Sequence, residues 1–150
     1  MGQTLIKNYI HIVFSTKHRK PLITEEIEEE LFAYIVGICN NLECYSVQVG
    51  GYLNHIHILC HLSKKIALTK LVETVKANSS KWIKTKGSEF QNFYWQNGFG
   101  AFSVGYKQVE PVLNYIANQK EHHQKTKFKD EYRKILQKNE VEFNEQYVWD

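Results

Sequence analysis

Two stretches of this 150-residue chain carry side chains whose types and spacing could do chemistry. The first is Leu53-Asn54-His55-Ile56-His57-Ile58-Leu59-Cys60-His61. Side chains alternate faces along a strand, so His55, His57 and His61 share one face with Leu59, while Ile56, Ile58, Cys60 and Leu62 share the other. Two imidazoles two residues apart stand close enough to chelate one divalent ion, and neutral imidazole suits Zn, Mn, Fe, Co and Ni. The same pair also reads as two histidines satisfied within a sheet, so a metal role needs a third ligand.

The second stretch runs from Val109 to His123 and has helical periodicity, with Val109, Val112, Leu113 and Ile116 as its apolar stripe. Tyr115 and Gln119 are four apart and share a face, with His122 one turn on. A free phenol ionises near pH 10 and attacks poorly at neutral pH. Beside a divalent ion that polarises a phosphate, it becomes a plausible nucleophile. The Gln119 carbonyl is a neutral donor that could complete a three-ligand site. The plain alternative is a half-buried helix tyrosine followed by a solvated glutamine.

The elements that must position these residues follow from the hydrophobic pattern. Residues 5–15, 44–49, 53–62 and 101–106 read as strands, with a turn expected around Gly50-Gly51. Thr24 can cap a helix with an acidic first turn and with Ile27, Leu31, Tyr34, Ile35 and Ile38 at helical spacing. A second helix is expected over about 66–84. The order βαββαβ predicts an α+β, ferredoxin-like antiparallel sheet with both helices on one face. The histidine face is then expected on the open side. Two further helices, about 109–124 and 128–139, exceed what that unit requires, and the first carries Tyr115.

Length and composition bound the rest. Hydrophobic residues make up 43% and charged residues 23%, so one folded domain over 1–150 is expected rather than a disordered chain. No run approaches the roughly 20 apolar residues of a membrane span, and the start has neither a secretory nor a myristoylation pattern. Three cysteines without C-x-x-C spacing fit a reducing compartment, and a cytoplasmic location is expected. A formal net charge of +3 permits a nucleic-acid partner without demanding one. No Walker-type glycine-rich loop is present, so no nucleotide cofactor is expected.

His55-Ile56-His57, followed downstream by Tyr115-Ile-Ala-Asn-Gln119-Lys-Glu-His-His, resembles the single-tyrosine HUH transposases of the IS200/IS605 insertion-sequence family. The resemblance extends to Ile12-Val13-Phe14-Ser15-Thr16-Lys17-His18-Arg19, to the segment from Phe93 to Val104, and to the ending Tyr147-Val148-Trp149-Asp150. It implies that His55, His57 and Gln119 bind Mg²⁺ or Mn²⁺ and that Tyr115 is the catalytic nucleophile. It further implies cleavage and rejoining of single-stranded DNA through a 5′-phosphotyrosine, DNA transposition of an insertion element with hairpin ends, and a homodimer. Family members often have an acidic residue before the first histidine. Here Asn54 stands there, which removes a negative charge near the site.

Lys17, Arg19 and Lys20 at the end of the first strand, and Lys81 and Lys84 on the second helix, are candidate DNA contacts; charge runs are as often solvated faces. Three other readings share parts of the pattern. One is a nucleic-acid-binding module without catalysis, although base-stacking aromatics are absent from the histidine strand. Another is a domesticated relative that processes chromosomal repeats with the same site. The third is a zinc hydrolase, for which no obvious glutamate base accompanies the histidines.

Overall fold

The computed structural model describes residues 2–150. Its elements, in chain order, are β1 (Tyr9–Ser15), α1 (Glu25–Asn41), β2 (Ser46–Gly51), β3 (His55–His61), α2 (Leu68–Ile83), β4 (Gly100–Val104), α3 (Val109–Ala117), α4 (Gln119–His122) and α5 (Phe128–Lys138). The four strands form one antiparallel sheet in the order β2-β3-β1-β4, the ferredoxin-like arrangement expected from the βαββαβ pattern. Val13 pairs with His57, and His11 with Leu59. The two central strands therefore present His11, Val13, His55 and His57 on a common face.

The other face carries the main core. Ile12 and Phe14 of β1 and Ile56, Ile58 and Cys60 of β3 pack with Ile27, Leu31 and Ile35 of α1 and Leu71, Val72 and Val75 of α2. Residues recurring at helical spacing on α1 and at period two on the strands meet here, each burying its apolar set against the other's. Thr24 does precede α1, but its side chain makes no capping hydrogen bond; Glu25, Glu26 and Glu28 supply the negative charge that suits the helix start. Cys39, Cys44 and Cys60 are free and buried. Among the described residues no helix is long and apolar enough to cross a membrane.

The histidine face is not open. Val13 and Phe102 of the sheet pack with Phe128, Tyr132 and Leu136 of α5 in a second cluster. Those three residues recur every four positions and make an apolar stripe that only burial satisfies, so α5 lies down on the sheet. The final residues close over it: Arg19 donates to the Trp149 carbonyl at 2.7 Å, and the Gly98 N–H donates to the Asp150 carbonyl at 2.8 Å.

β1 begins at Tyr9 rather than at the expected residue 5, and β4 ends at Val104 rather than at the expected 106; two further differences bear on the site. Gly50 and Gly51 lie within β2, and the turn falls at residues 52–54, with Leu53 at φ 54°. Gly50 is there for close approach: a Cβ on it would stand 2.7 Å from the Ile116 carbonyl of α3. The helix expected over 109–124 breaks at Asn118 (φ −101°, ψ 21°), which leaves Tyr115 on α3 and Gln119 at the start of α4.

Candidate active site

Four elements converge beneath α5. β3 supplies His55 and His57, both fully buried. β1 supplies His11, whose Nε2 lies 2.8 Å from His57 Nδ1. The break between α3 and α4 supplies Tyr115 and Gln119, and α3 can sit this low on β2 because of Gly50. From α5 comes a residue that sequence reading missed, Glu131, which is only 2% exposed.

Glu131 is the hub of the cluster. Its Oε2 accepts hydrogen bonds from the Tyr115 hydroxyl and from Gln119 Nε2, the latter at 3.0 Å. Its Oε1 lies 3.2 Å from His57 Nε2 and 3.5 Å from His55 Nε2. His122 and His123 approach at 3.4 and 3.1 Å, and the buried Nε2 of His123 makes no hydrogen bond. Burial alone would raise the Glu131 carboxyl, but the adjoining His123 and His57 imidazoles hold it far below the ordinary carboxylate range. It is an anion among imidazoles.

The tyrosine is correspondingly held in its protonated form. Burial, then the Glu131 charge and hydrogen bond, push the Tyr115 phenol well above its ordinary value. It stays protonated and donates to Glu131. Two cavities flank it. One of about 560 Å³ is bounded by His11, Phe102, Val112, Tyr115, Glu131 and Lys134. A second touches Tyr115, Asn118 and Lys125.

His55 shows a mismatch in proton count. Its Nε2 lies 2.8 Å from Gln119 Oε1, and its Nδ1 lies 2.9 Å from Asn54 Oδ1. Both amides are oriented by other bonds, Gln119 Nε2 to Glu131 Oε2 and Asn54 Nδ2 to the Arg19 carbonyl at 3.3 Å. Burial first, then the neighbouring His57, drives the His55 pKa down to about 3, so the ring is neutral and has one N–H for two oxygens. If Nδ1 donates to Asn54, the Nε2 and Gln119 Oε1 lone pairs face one another. A cation between them relieves that conflict, and Asn54 then acts as the outer hydrogen-bond acceptor that orients a metal-bound histidine.

The donor spacing fits such an ion. Adjacent ligands of an octahedral Mg²⁺ ion stand about 3 Å apart, given bonds of roughly 2.1 Å. The His55–Gln119, His57–Glu131 and His55–Glu131 separations of 2.8, 3.2 and 3.5 Å bracket that value. His55, His57 and Glu131 together form a group able to hold a metal ion.

The chain's residues 4–119 match the family described as Transposase IS200 like. The chain belongs to this transposase family. The matched segment contains His55, His57, Tyr115 and Gln119 and stops short of Glu131. Two solved structures share the fold of this chain. One is a candidate transposase from Deinococcus radiodurans R1, with TM-score 0.61 and 17% identity, covering 79% of this chain and 96% of that one. The other is a REP-associated tyrosine transposase bound to a REP hairpin, with TM-score 0.59 and 14% identity, covering 82% and 73%. No curated protein matches the chain.

The remaining sequence candidates of this IS200-like chain fall in two groups. His61 is apart from the cluster, its Nε2 accepting from the Asn8 N–H at 3.1 Å. Lys17 and Lys84 meet at Tyr94: the Lys17 N–H donates to the Tyr94 carbonyl at 2.7 Å, and Lys84 Nζ stands 4.3 Å above the Tyr94 ring. Lys20 and Lys81 are exposed, whereas Arg19 is engaged with Trp149. Lys76, on the same helix as Lys81, is spent on structure, donating to the carbonyls of Gln96, Asn97 and Gly98. Glu131 did leave a signal in the sequence: it interrupts the apolar stripe Phe128–Tyr132–Leu136 with a charge that must find partners.

Proposed function

We propose that this chain cleaves and rejoins single-stranded DNA through a 5′-phosphotyrosine on Tyr115, with a divalent ion, Mg²⁺ or Mn²⁺, held by His55, His57 and Gln119. The observation that carries this reading is the convergence of those four side chains, from three elements, within one buried cluster. Family membership supplies the class of reaction, and the cluster supplies residues suited to it.

The ion, when bound, would polarise the scissile phosphate and offset charge developing on it. His57 is held by His11 and His55 by Asn54, so both metal-facing nitrogens are fixed by hydrogen bonds from behind. Tyr115 faces a cavity wide enough for a nucleotide, with Lys134 on its wall to meet phosphate. As the Tyr115 Oη–phosphorus bond forms, the bond from phosphorus to the 3′-oxygen breaks. The phenol gives up one proton and the departing 3′-oxygen gains one, so the proton count balances. A phosphotyrosine keeps the energy of the broken phosphodiester, and a second strand's 3′-hydroxyl can reverse the step. Joining is cutting run backwards.

The natural substrate in this reading is a hairpin end of an insertion element, bound partly by Lys17, Lys20, Lys81 and Lys84 in the cytoplasm. A homodimer would serve to present two strands. Within one chain the Tyr115 ring stands 5.6 Å from that of His57.

The test is incubation with labelled single-stranded hairpin DNA and Mg²⁺ or Mn²⁺. A covalent protein–DNA adduct is expected from the wild type and none from Tyr115→Phe. An adduct that persists in Tyr115→Phe overturns the nucleophile assignment, and no adduct from any hairpin or single strand overturns the reading.

A further inference from the structure

Glu131 lies beyond the segment that matches the family, on a helix the ferredoxin-like unit does not require, yet it is the most connected side chain of the cluster. Its two oxygens are not equivalent. Oε1 faces the imidazoles, at 3.2 Å from His57 Nε2 and 3.5 Å from His55 Nε2. Oε2 accepts from the Tyr115 hydroxyl and from Gln119, with His122 Nε2 3.4 Å away. A buried carboxylate with no lysine or arginine in contact is costly unless something positive compensates it. The Coulomb attraction of a divalent ion is the compensation this donor set is built to accept, since hard cations prefer carboxylate oxygen.

We propose that Glu131 is an anionic ligand of the divalent ion through Oε1, beside His55, His57 and Gln119, and that through Oε2 it holds the Tyr115 hydroxyl next to that ion. The inference rests on the metal-centre reading given above and adds a role to it. One carboxylate then ties occupancy of the metal position to placement of the nucleophile. It also restores near the ion the negative charge that Asn54 does not provide. α5 becomes part of the active site, and the closed histidine face becomes functional. The buried ring of Phe128 stacks on that of His55, with centroids 4.4 Å apart.

The experiment is a Mn²⁺ titration of the full chain, followed by electron paramagnetic resonance of the free ion, on wild type, Glu131→Gln and His57→Ala. Glu131→Gln keeps the shape and an oxygen for Tyr115 but removes the charge. Loss of Mn²⁺ affinity by at least roughly 10–100-fold is expected, the range seen when even an outer partner of a ligand is removed. With Mn²⁺ raised until the variant is saturated, adduct formation on hairpin DNA should remain at least tenfold slower than wild type. Equal affinity in wild type and Glu131→Gln, with weak binding in His57→Ala, overturns the role of Glu131 and leaves the metal reading standing. Failure of the wild type to bind Mn²⁺ overturns both. Should circular dichroism show that Glu131→Gln is unfolded, the wild type decides alone. An infrared difference spectrum of ¹³C-glutamate-labelled protein must then show shifted carboxylate bands on Mn²⁺ addition, absent in His57→Ala; unshifted bands overturn the proposal.

Discussion

The two faces of the sheet are both buried, and they are buried by different means. Beneath α1 and α2, Ile12, Phe14, Ile56 and Ile58 exclude water by apolar packing, which is non-directional and tolerant of small rearrangement. Beneath α3 to α5, at the same depth, lie His11, His55, His57, Gln119 and Glu131. Each of these needs a partner at a stated distance and angle, and each partner needs another. The first face specifies that the chain folds. The second specifies where a charge can sit.

The sharpest way to separate the faces is one substitution on each, with and without Mn²⁺. Ile58→Ala should cost about 2–5 kcal/mol of unfolding free energy, as a buried large-to-small change does. The increment gained on adding Mn²⁺ should survive, about 2.7 kcal/mol at a hundredfold excess over Kd. His57→Ala should show the reverse pattern, with the Mn²⁺ increment lost. Urea titrations of both variants check this; an Mn²⁺ increment retained in His57→Ala would erase the distinction.

A smaller effect comes from the glycine that lets α3 sit on β2. Gly50→Ala places a methyl group against the Ile116 carbonyl, and overpacking of this kind costs about 1–3 kcal/mol. The shift should pass to Tyr115 and Gln119 on either side of Ile116, so adduct formation should fall by more than stability alone explains. Unchanged adduct formation at a temperature where the variant is folded would count against this coupling.

The gentlest probe is pH. Burial, followed by the neighbouring His57, holds both His11 and His55 down to about 3, whereas an unfolded histidine titrates near 6.5. Between those values the unfolded chain binds protons that the folded chain refuses, so stability falls as pH drops below about 6.5 and is fully present above it. Each histidine contributes at most about 1.4 kcal/mol per pH unit. Urea unfolding at pH 7, 6 and 5 without metal reads this slope, and His11→Phe should flatten it; a slope that is the same in His11→Phe would place the acid sensitivity elsewhere.

How much of this was legible beforehand depended on whether the signal was local. The alternation in Ile10–Phe14 and His55–His61 fixed the faces of β1 and β3, because a period of two needs only a few residues to declare itself. Tyr115 and Gln119 were legible as a pair four residues apart, although the helix expected to carry both breaks at Asn118. Glu131 was legible as a charge beside the apolar stripe of α5 but not as a partner of His55, since it stands more than seventy residues away and nothing local says which helix a sheet will recruit. Gly50 was read as a turn because glycine serves both turns and close approach, and only the position of Ile116 decides between them. The open histidine face failed for a related reason. The apolar stripe of α5 was visible, but the surface it would cover was not.

The mismatch at His55 has a consequence for what the centre admits. Nε2 and Gln119 Oε1 leave between them a position that repels any neutral occupant and rewards a positive one. A second ring proton would satisfy both oxygens, and burial, followed by the neighbouring His57, holds that protonation down to about 3. In the proposed metal centre, selection among cations would then be left to radius and charge.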